Sequence, residues 1–480
     1  MKRWYRLDNT GKLYSAVTKK TNTCVFRLVA ILTENVDPKA LQQAADITIK
    51  RFPTMAVKLK KGLFWTYLYE NNNPLVVQEE ATYPCTSIMG TKENNEYLFK
   101  IMYFGRRITL ECYHVLADGK GALEFLKSLV YQYLLVIGKE VKDEGMILLP
   151  EKAPDREEEE DGCLRYYQRD VSKSKLETQK ARAIRGTLLE DRRTNVVHGV
   201  IPASHLKDYA RQNGTTITGY LTAVFSQAIS SSDSQQGQSD HPIRISIPVN
   251  LRGLFPSKTL RNFISQISVS IPAAPVQTFD ELVESVTSQM KTSITKEGFA
   301  SNIATYVGYE KMLVSRVIPW FIKKKIINVV SKRSESTTTA VLTNLGNIEL
   351  PKSMEPYVDM IEAMPLHKRA ASINCAICSV GGKLNISFSS NIAESDVIEH
   401  FFDLVSEQTG LEVEVYSNCR NETDSLPTDA QRLYPAYAAV TLKWTKKIRT
   451  RVGNYLYRPT QGIRTRFVNL LRQWRAIIHV

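Results

Sequence analysis

Segments with the two-residue period of β-strands and segments with the 3.6-residue period of helices recur through both halves of this 480-residue chain. A strand must bury a face and a helix a stripe, so this mixture calls for helices layered on sheets in two α/β units rather than a bundle or a sandwich. Asp37-Pro38 reads as an N-cap with proline in the first turn, and Leu41, Ala44, Ala45, Thr48 and Phe52 share one helical face. Met55 to Leu59 and Leu63 to Tyr69 flank the turn Lys60-Lys61-Gly62 as hairpin strands, and Tyr97 to Phe104 pairs with Ile108 to His114 around Gly105. In that last strand Ile108, Leu110, Cys112 and His114 lie on one face and Thr109, Glu111 and Tyr113 on the other. A helix is predicted from Gly121, with Leu123, Leu126, Leu129, Val130 and Tyr133 inward.

Beyond Pro150 and Pro154, the acidic run Asp155 to Asp161 has no period that could bury a face and is expected to be an exposed connection. Ser204 is placed as the cap of a helix ending near Gly214, followed by a helix from Ile217 to Ile229 and a strand from Ile243 to Val249. Thr278 and Glu281 have capping-box spacing at the head of a helix from Phe279 to Met290. Strands follow at Thr338 to Thr343, Ala371 to Val380 and Lys383 to Ser389, then a helix from Asp396 to Glu407. Val314 to Arg333 mixes Trp320, Phe321, Ile322, Ile326, Ile327, Val329 and Val330 with Lys323, Lys324, Lys325, Lys332 and Arg333. It is expected to be a partly buried helix, or else an element touching a membrane or the mouth of a tunnel.

With 43% hydrophobic and 23% charged residues, the chain is neither collagen-like, mostly disordered nor a coiled coil. Its longest uncharged stretch, Gln212 to Ser232, is rich in Thr, Ser and Gln, and the opening Met1 to Arg6 leads into no apolar signal core, so a cytoplasmic location is expected. The seven cysteines are expected to be reduced, and Cys375 and Cys378, three apart on a strand, point to opposite faces and suit no shared metal. There is no phosphate loop, no GxGxxG after a strand, no His-Glu-x-x-His and no Gly-x-Ser-x-Gly elbow.

The net charge of +14 is concentrated at one end. After Asp429 there are eleven basic residues and no acidic one, which leaves +3 for the rest (14 − 11). If Gly462 starts a helix, Ile463, Phe467, Leu470, Leu471, Trp474, Ile477 and Ile478 form an apolar stripe flanked by Arg464, Arg466 and Arg475. Nucleic acid would use the charges but not the stripe, whereas an anionic membrane surface would use both. Packing of this segment on the body or on a partner protein is the alternative.

Chemistry concentrates in Glu111 to Gly121, where His114 ends a strand and Asp118-Gly119 leads into a helix. That position can present an imidazole at a cleft, or hold a satisfied histidine at a core edge. The residues His114-Val115-Leu116-Ala117-Asp118-Gly119 resemble the HxxxDG signature of the coenzyme A dependent acyltransferase superfamily, which includes chloramphenicol acetyltransferase, nonribosomal peptide condensation domains and plant hydroxycinnamoyl transferases. Ile247-Pro248-Val249-Asn250-Leu251-Arg252 resembles that family's second-half strand ending in arginine. Thr259-Leu260-Arg261-Asn262-Phe263, Thr343-Asn344-Leu345-Gly346 and the opening Trp4-Tyr5-Arg6-Leu7-Asp8 are similar to elements of its bacterial alcohol acetyltransferase-like members. The likeness runs over about residues 1–415 and leaves the basic tail out.

The resemblance implies two chloramphenicol-acetyltransferase-like lobes, 1–165 and 166–420, each a mixed sheet with helices, an active-site tunnel between them and a tail from 421 to 480. It implies acyl-CoA as co-substrate, a hydroxyl acceptor and His114 as general base. Asp118 would pair with Arg252 to hold the loop, Gly119 would permit its close turn, and Asn250 and Asn262 mark the second-half motif. Thr343 and Asn344, with Gly346, are candidates for the oxyanion site, while Asn344 and Gly346 equally suit a bulge or crossover strand. Tyr113 stands where the longer HHxxxDG form has its first histidine, and no Asp-Phe-Gly-Trp-Gly occurs, which argues against a plant-type enzyme. A monomer without bound metal or cofactor and without nucleic acid is expected. Two other readings remain: a condensation-type enzyme using an acyl carrier protein, and a non-catalytic relative that captures a ligand.

Overall fold

The computed structural model describes residues 3–418 apart from 20–21, 81–82, 89–92, 175–176, 190–193, 233–238, 274–277, 313–317 and 366–371, together with the backbone of 442–444. The remainder of the basic tail, including the segment from Gly462, lies outside the described residues. The first half runs β1 (Trp4–Arg6), α1 (Asn9–Val17), β2 (Val25–Leu32), α2 (Pro38–Thr48), β3 (Val57–Lys61), β4 (Thr66–Glu70), β5 (Val77–Glu79), β6 (Phe99–Phe104), β7 (Arg107–Tyr113) and α3 (Gly119–Val136). Next come α4 (Gly162–Arg165), β8 (Asn195–Pro202), α5 (Ala203–Gln212), α6 (Ile217–Ser232), β9 (Ile243–Asn250) and β10 (Ile264–Ile271). Then follow α7 (Phe279–Ser293), α8 (Lys296–Lys311), α9 (Trp320–Glu335), β11 (Ala340–Asn347) and β12 (Val358–Met364). The last elements are β13 (Ile373–Val380), β14 (Lys383–Ser390), α10 (Asp396–Thr409), β15 (Val413–Ser417) and β16 (Leu442–Trp444).

Local chemistry accounts for the helix ends. Asp37 accepts the amides of Lys39 and Ala40 before Pro38 opens α2, Thr278 and Glu281 close a reciprocal capping box on α7, and α10 stops on left-handed Gly410. At α5 the reading differs. Pro202 takes the N-cap position with no side-chain bond and the helix begins at Ala203, so Ser204 lies inside the first turn.

Three sheets result: β1-β4-β3, the five-stranded β12-β2-β7-β6-β5, and the eight-stranded β10-β9-β11-β13-β14-β8-β15-β16. One core lies between the five-stranded sheet and α2 and α3, and the other between the eight-stranded sheet and α6, α7 and α10. Two strands bind the lobes. β12, from the second half of the chain, completes the first sheet by pairing antiparallel with β2. β13 alternates between cores, with Ile373, Cys375 and Ile377 in the second and Ala376, Cys378 and Val380 in the first.

Where the two sheets face each other, the contact is ionic as well as apolar. Arg27 meets Glu111 at 2.9 Å and Glu80 at 3.3 Å, while Arg107 meets Glu80 at 3.3 Å and Glu362 at 3.4 Å, all of them buried. From the second lobe, Tyr416 donates to Glu362 at 2.6 Å and His198 stacks on the Tyr416 ring. The acidic run after Pro154 is likewise anchored: Glu158 is buried and takes both Arg51 nitrogens at 2.6 and 2.7 Å. A charge can be buried without an apolar period when its partner is buried with it.

Titration of this seam has a definite sign. Burial alone would raise the Glu80 carboxyl, but the Arg107 and Arg27 guanidiniums and a hydrogen bond from Thr109 hold it down to about 2. Burial lowers His198 below its ordinary 6.5, against the pull of Glu362. For both groups the unfolded chain binds the proton more readily, so stability rises with pH across the interval between unfolded and folded values. Denaturant midpoints should therefore fall as pH drops through 6.5, because of His198, and again from about pH 4.5 toward 2, because of Glu80. Flat stability from pH 7.5 to 4 would contradict the assignment.

Candidate active site

β7 ends at Tyr113 and delivers His114 to the seam between the lobes. Its backbone is fixed on both sides: the amide donates to Cys24 O at 2.9 Å and the carbonyl accepts from Asn262 Nδ2 at 2.8 Å. The half-buried imidazole stacks on Tyr14 of α1, with centroids 4.6 Å apart and planes at 14°, and lies 4.4 Å from the Phe26 ring. Burial raises the Tyr14 hydroxyl above its ordinary value, so the stacking partner is a neutral phenol. The imidazole is thus packed against two aromatic rings, one stacked and one tilted at 44°. Tyr113 is buried and bonds Thr18 Oγ1 at 2.8 Å, which ties the strand to the end of α1.

Asp118 caps α3. Its Oδ1 accepts Gly121 N at 3.0 Å, while Oδ2 accepts Phe263 N at 2.9 Å and Arg252 Nη1 at 2.8 Å. Arg252 also donates to the carbonyls of Thr259 and Arg261, and Asn250 Oδ1 accepts from its amide and Nη1. Asp118 is therefore committed to holding the loop, and it gains this position from both lobes. Gly119 acts differently from the turn-former expected. It has no left-handed φ, and its need for a bare Cα comes from Leu345, whose Cδ2 would lie 2.6 Å from an added Cβ. At Gly121 such a Cβ would be 1.9 Å from the Leu260 carbonyl. The two glycines are where the second lobe presses on the start of α3.

The segment 343–346 lies beside that loop through Leu345. Asn344 Oδ1 accepts Gly346 N at 2.7 Å and its Nδ2 donates to Thr218 Oγ1 at 2.9 Å, around a register shift in β11 where Gly346 takes φ +78°. That geometry is the bulge-shaping role, and it uses one of the two Asn344 Nδ2 hydrogens. Next to it, Lys120, Leu123, Glu124, Lys127, Met146, Leu345, Asn347, Ile348 and Glu349 line an open pocket of about 210 Å³.

Asp8 was not singled out by its spacing, yet it is wholly buried in the site. It caps α1 through Gly11 N and accepts from Asn262 Nδ2 at 3.2 Å, with Arg261 at 3.5 Å. Asn262 thereby connects the first turn of α1 to the His114 carbonyl. The signal available in the sequence was an aspartate one residue before a helical stretch, at a cap position.

No family model matches the chain, and no curated relative does. Among solved structures it is similar to polyketide synthase associated protein 5 from Mycobacterium tuberculosis, at 14% identity over 84% of this chain and 97% of that one, with a TM-score of 0.57. It is also similar to F. sporotrichioides TRI101 complexed with coenzyme A and T-2, at 12% identity over 86% and 99%, with a TM-score of 0.59. The nonribosomal peptide synthetase FmoA3 shares 13% identity over 85% of this chain and 44% of that one, with a TM-score of 0.52. The chain has the two-lobed chloramphenicol acetyltransferase-like fold that these structures share.

Asp118→Ala and Arg252→Ala should each destabilise the protein by about 3 kcal/mol or more, since each leaves its partner buried and short of a charge. Because they share one interaction, the double variant should cost less than the sum, by about 0.5–3 kcal/mol in urea unfolding. Strict additivity would show that the pair is not coupled.

Proposed function

We propose that this protein transfers an acyl group from the thioester of acyl-CoA to the hydroxyl of an apolar alcohol or lipid, with His114 as general base. The observation that carries the reading is the half-buried imidazole at the seam, packed on Tyr14 and Phe26, in a loop fixed by the Asp118–Arg252 pair. The fold shared with TRI101, whose solved complex contains coenzyme A and T-2, supports it.

In the proposed reaction His114 Nε2 accepts the hydroxyl proton while the oxygen bonds to the thioester carbon, giving a tetrahedral oxyanion and an imidazolium. Collapse breaks the C–S bond, and the imidazolium returns the proton to the departing sulfur. The products are an ester and free coenzyme A thiol. The oxyanion needs a donor aimed at it, and the Thr343 hydroxyl and the second Asn344 Nδ2 hydrogen are the candidates. The aromatic surroundings of His114 favour an apolar acceptor.

Two lobes, 1–165 and 166–420, form the enzyme in this reading, which acts as a cytoplasmic monomer. The tail from 421 to 480 would bring it to an anionic membrane where lipid acceptors reside. Among the described residues no helix is long and apolar enough to cross a membrane.

His114→Ala should lower thiol release from acyl-CoA by about 10²- to 10⁴-fold with an unchanged melting curve. Full turnover by a folded variant would refute the base assignment. An acyl carrier protein supporting transfer where free acyl-CoA does not would place the donor in the condensation class. Removing residues 430–480 should weaken sedimentation with anionic liposomes while sparing transfer to a soluble alcohol. Unaltered sedimentation would exclude the tail as a membrane contact.

A further inference from the structure

Helix α9 is laid on the protein the wrong way round for a water-exposed helix. Its inner side places Trp320 and Lys323 against the body, where the Lys323 ammonium sits 3.6 Å from the Trp65 ring centroid and donates to Phe64 O at 2.9 Å. Its outer side carries Phe321, Ile322, Ile326, Val329 and Val330, with Phe321 64% and Val329 69% exposed. The expected partly buried helix is thus buried along a strip that includes a lysine and Ile327, and open along Phe321, Ile322, Ile326, Val329 and Val330. A contiguous apolar stripe flanked by basic residues and left open is the pattern of a face that meets an apolar surface.

The uncovered surface continues onto the β3–β4 turn. Trp320 N donates to Leu63 O at 2.8 Å, which fixes the turn at the head of α9, and Leu63 is 69% exposed with Phe64 beside it. Around these groups stand Lys61, Lys325, Lys332 and Arg333, all exposed and without an ion pair among the described residues. Nearby carboxylates are engaged: Glu335 is half-buried and accepts from Ser331, Glu96 is taken by Lys58 and Lys60, and Glu310, whose field reaches Lys323, pairs with Lys12.

Charge selects among the possible covers. The chain's own tail carries eleven basic residues and no acidic one after Asp429, and a second copy would bring the same lysines and arginine, so either would set like charges against the patch. We propose that the outer face of α9, together with the Leu63–Phe64 turn, docks this protein on an anionic lipid bilayer. Isoleucine, valine and phenylalanine side chains would enter the acyl boundary while Lys61, Lys325, Lys332 and Arg333 contact the headgroups. The inference stands apart from acyl transfer and is tested without turnover.

The full chain bearing Cys419→Ser and Val329→Cys would be labelled at residue 329 with the environment-sensitive fluorophore NBD, since the six cysteines among the described residues are buried. A matched protein labelled at Lys207→Cys, on exposed α5, serves as control. Vesicles of phosphatidylcholine with one quarter phosphatidylserine should shift the 329 emission to the blue and leave the 207 emission unmoved. Adding Lys325→Glu, Lys332→Glu and Arg333→Glu should weaken that response about tenfold or more. No shift at 329 overturns the proposal, as does an equal shift on pure phosphatidylcholine. A blue emission before vesicles are added also overturns it, marking a second copy if it grows with protein concentration and the protein's own tail if it does not.

Discussion

Around the Asp118 carboxylate are donors from three places: the Gly121 amide in the same loop, the Phe263 amide after a 145-residue separation, and the Arg252 guanidinium. Removing a carboxylate from water is costly, and only such a full set of partners makes its burial tolerable. Once it is in place, the start of α3, the end of β9 and the 259–263 segment have fixed relative positions. His114, four residues before Asp118, inherits its position from that junction, and Asn262 adds a bond to its carbonyl. The loop is thus held from both sides, by Cys24, Tyr14 and Gly121 of its own lobe and by Arg252, Asn262 and Phe263 of the other.

A second junction of the same kind lies deeper. Three carboxylates, Glu80, Glu111 and Glu362, share two guanidiniums, Arg27 and Arg107, between the faces of the sheets. Ionic contacts of this sort demand defined geometry and tolerate little sliding, unlike apolar faces. The network lies on the five-stranded sheet, and Glu362 carries it across to Tyr416 and His198 of the eight-stranded sheet.

How much of this was legible depends on whether a feature is local. The α2 cap at Asp37, the Thr278–Glu281 box, the inward face of α3 and the divergent directions of Cys375 and Cys378 follow from neighbours in sequence and appear as read. Glu111 and Thr109 were placed correctly on the face opposite Leu110, but an alternating polar face usually meets water, and nothing local says that a second sheet covers it. The burial of Asp8 and Glu158 was hidden for the same reason, since their partners Asn262 and Arg51 lie far along the chain. Gly119 was read for its backbone freedom, whereas its neighbour Leu345 belongs to the other lobe. The partly buried helix expected within Val314 to Arg333 is α9, but which of its faces is covered depends on Trp65 and Phe64, far along the chain, and could not be read locally.

The pairing of β12 with β2 bears on how the chain is made. β2, Val25-Phe26-Arg27-Leu28-Val29-Ala30-Ile31-Leu32, is apolar along nearly its whole length, and on one side its backbone bonds go to residues 358–364. A ribosome adding roughly 5–20 residues per second needs on the order of 15–60 s to travel from β2 to β12. During that time the nascent first lobe carries a long, hydrophobic edge strand with an unsatisfied row of amides and carbonyls, the kind of edge that recruits other chains. Biosynthesis of this protein therefore has a vulnerable interval written into its topology, and its yield in a cell should be sensitive to whatever shields nascent strands until the last third of the chain arrives.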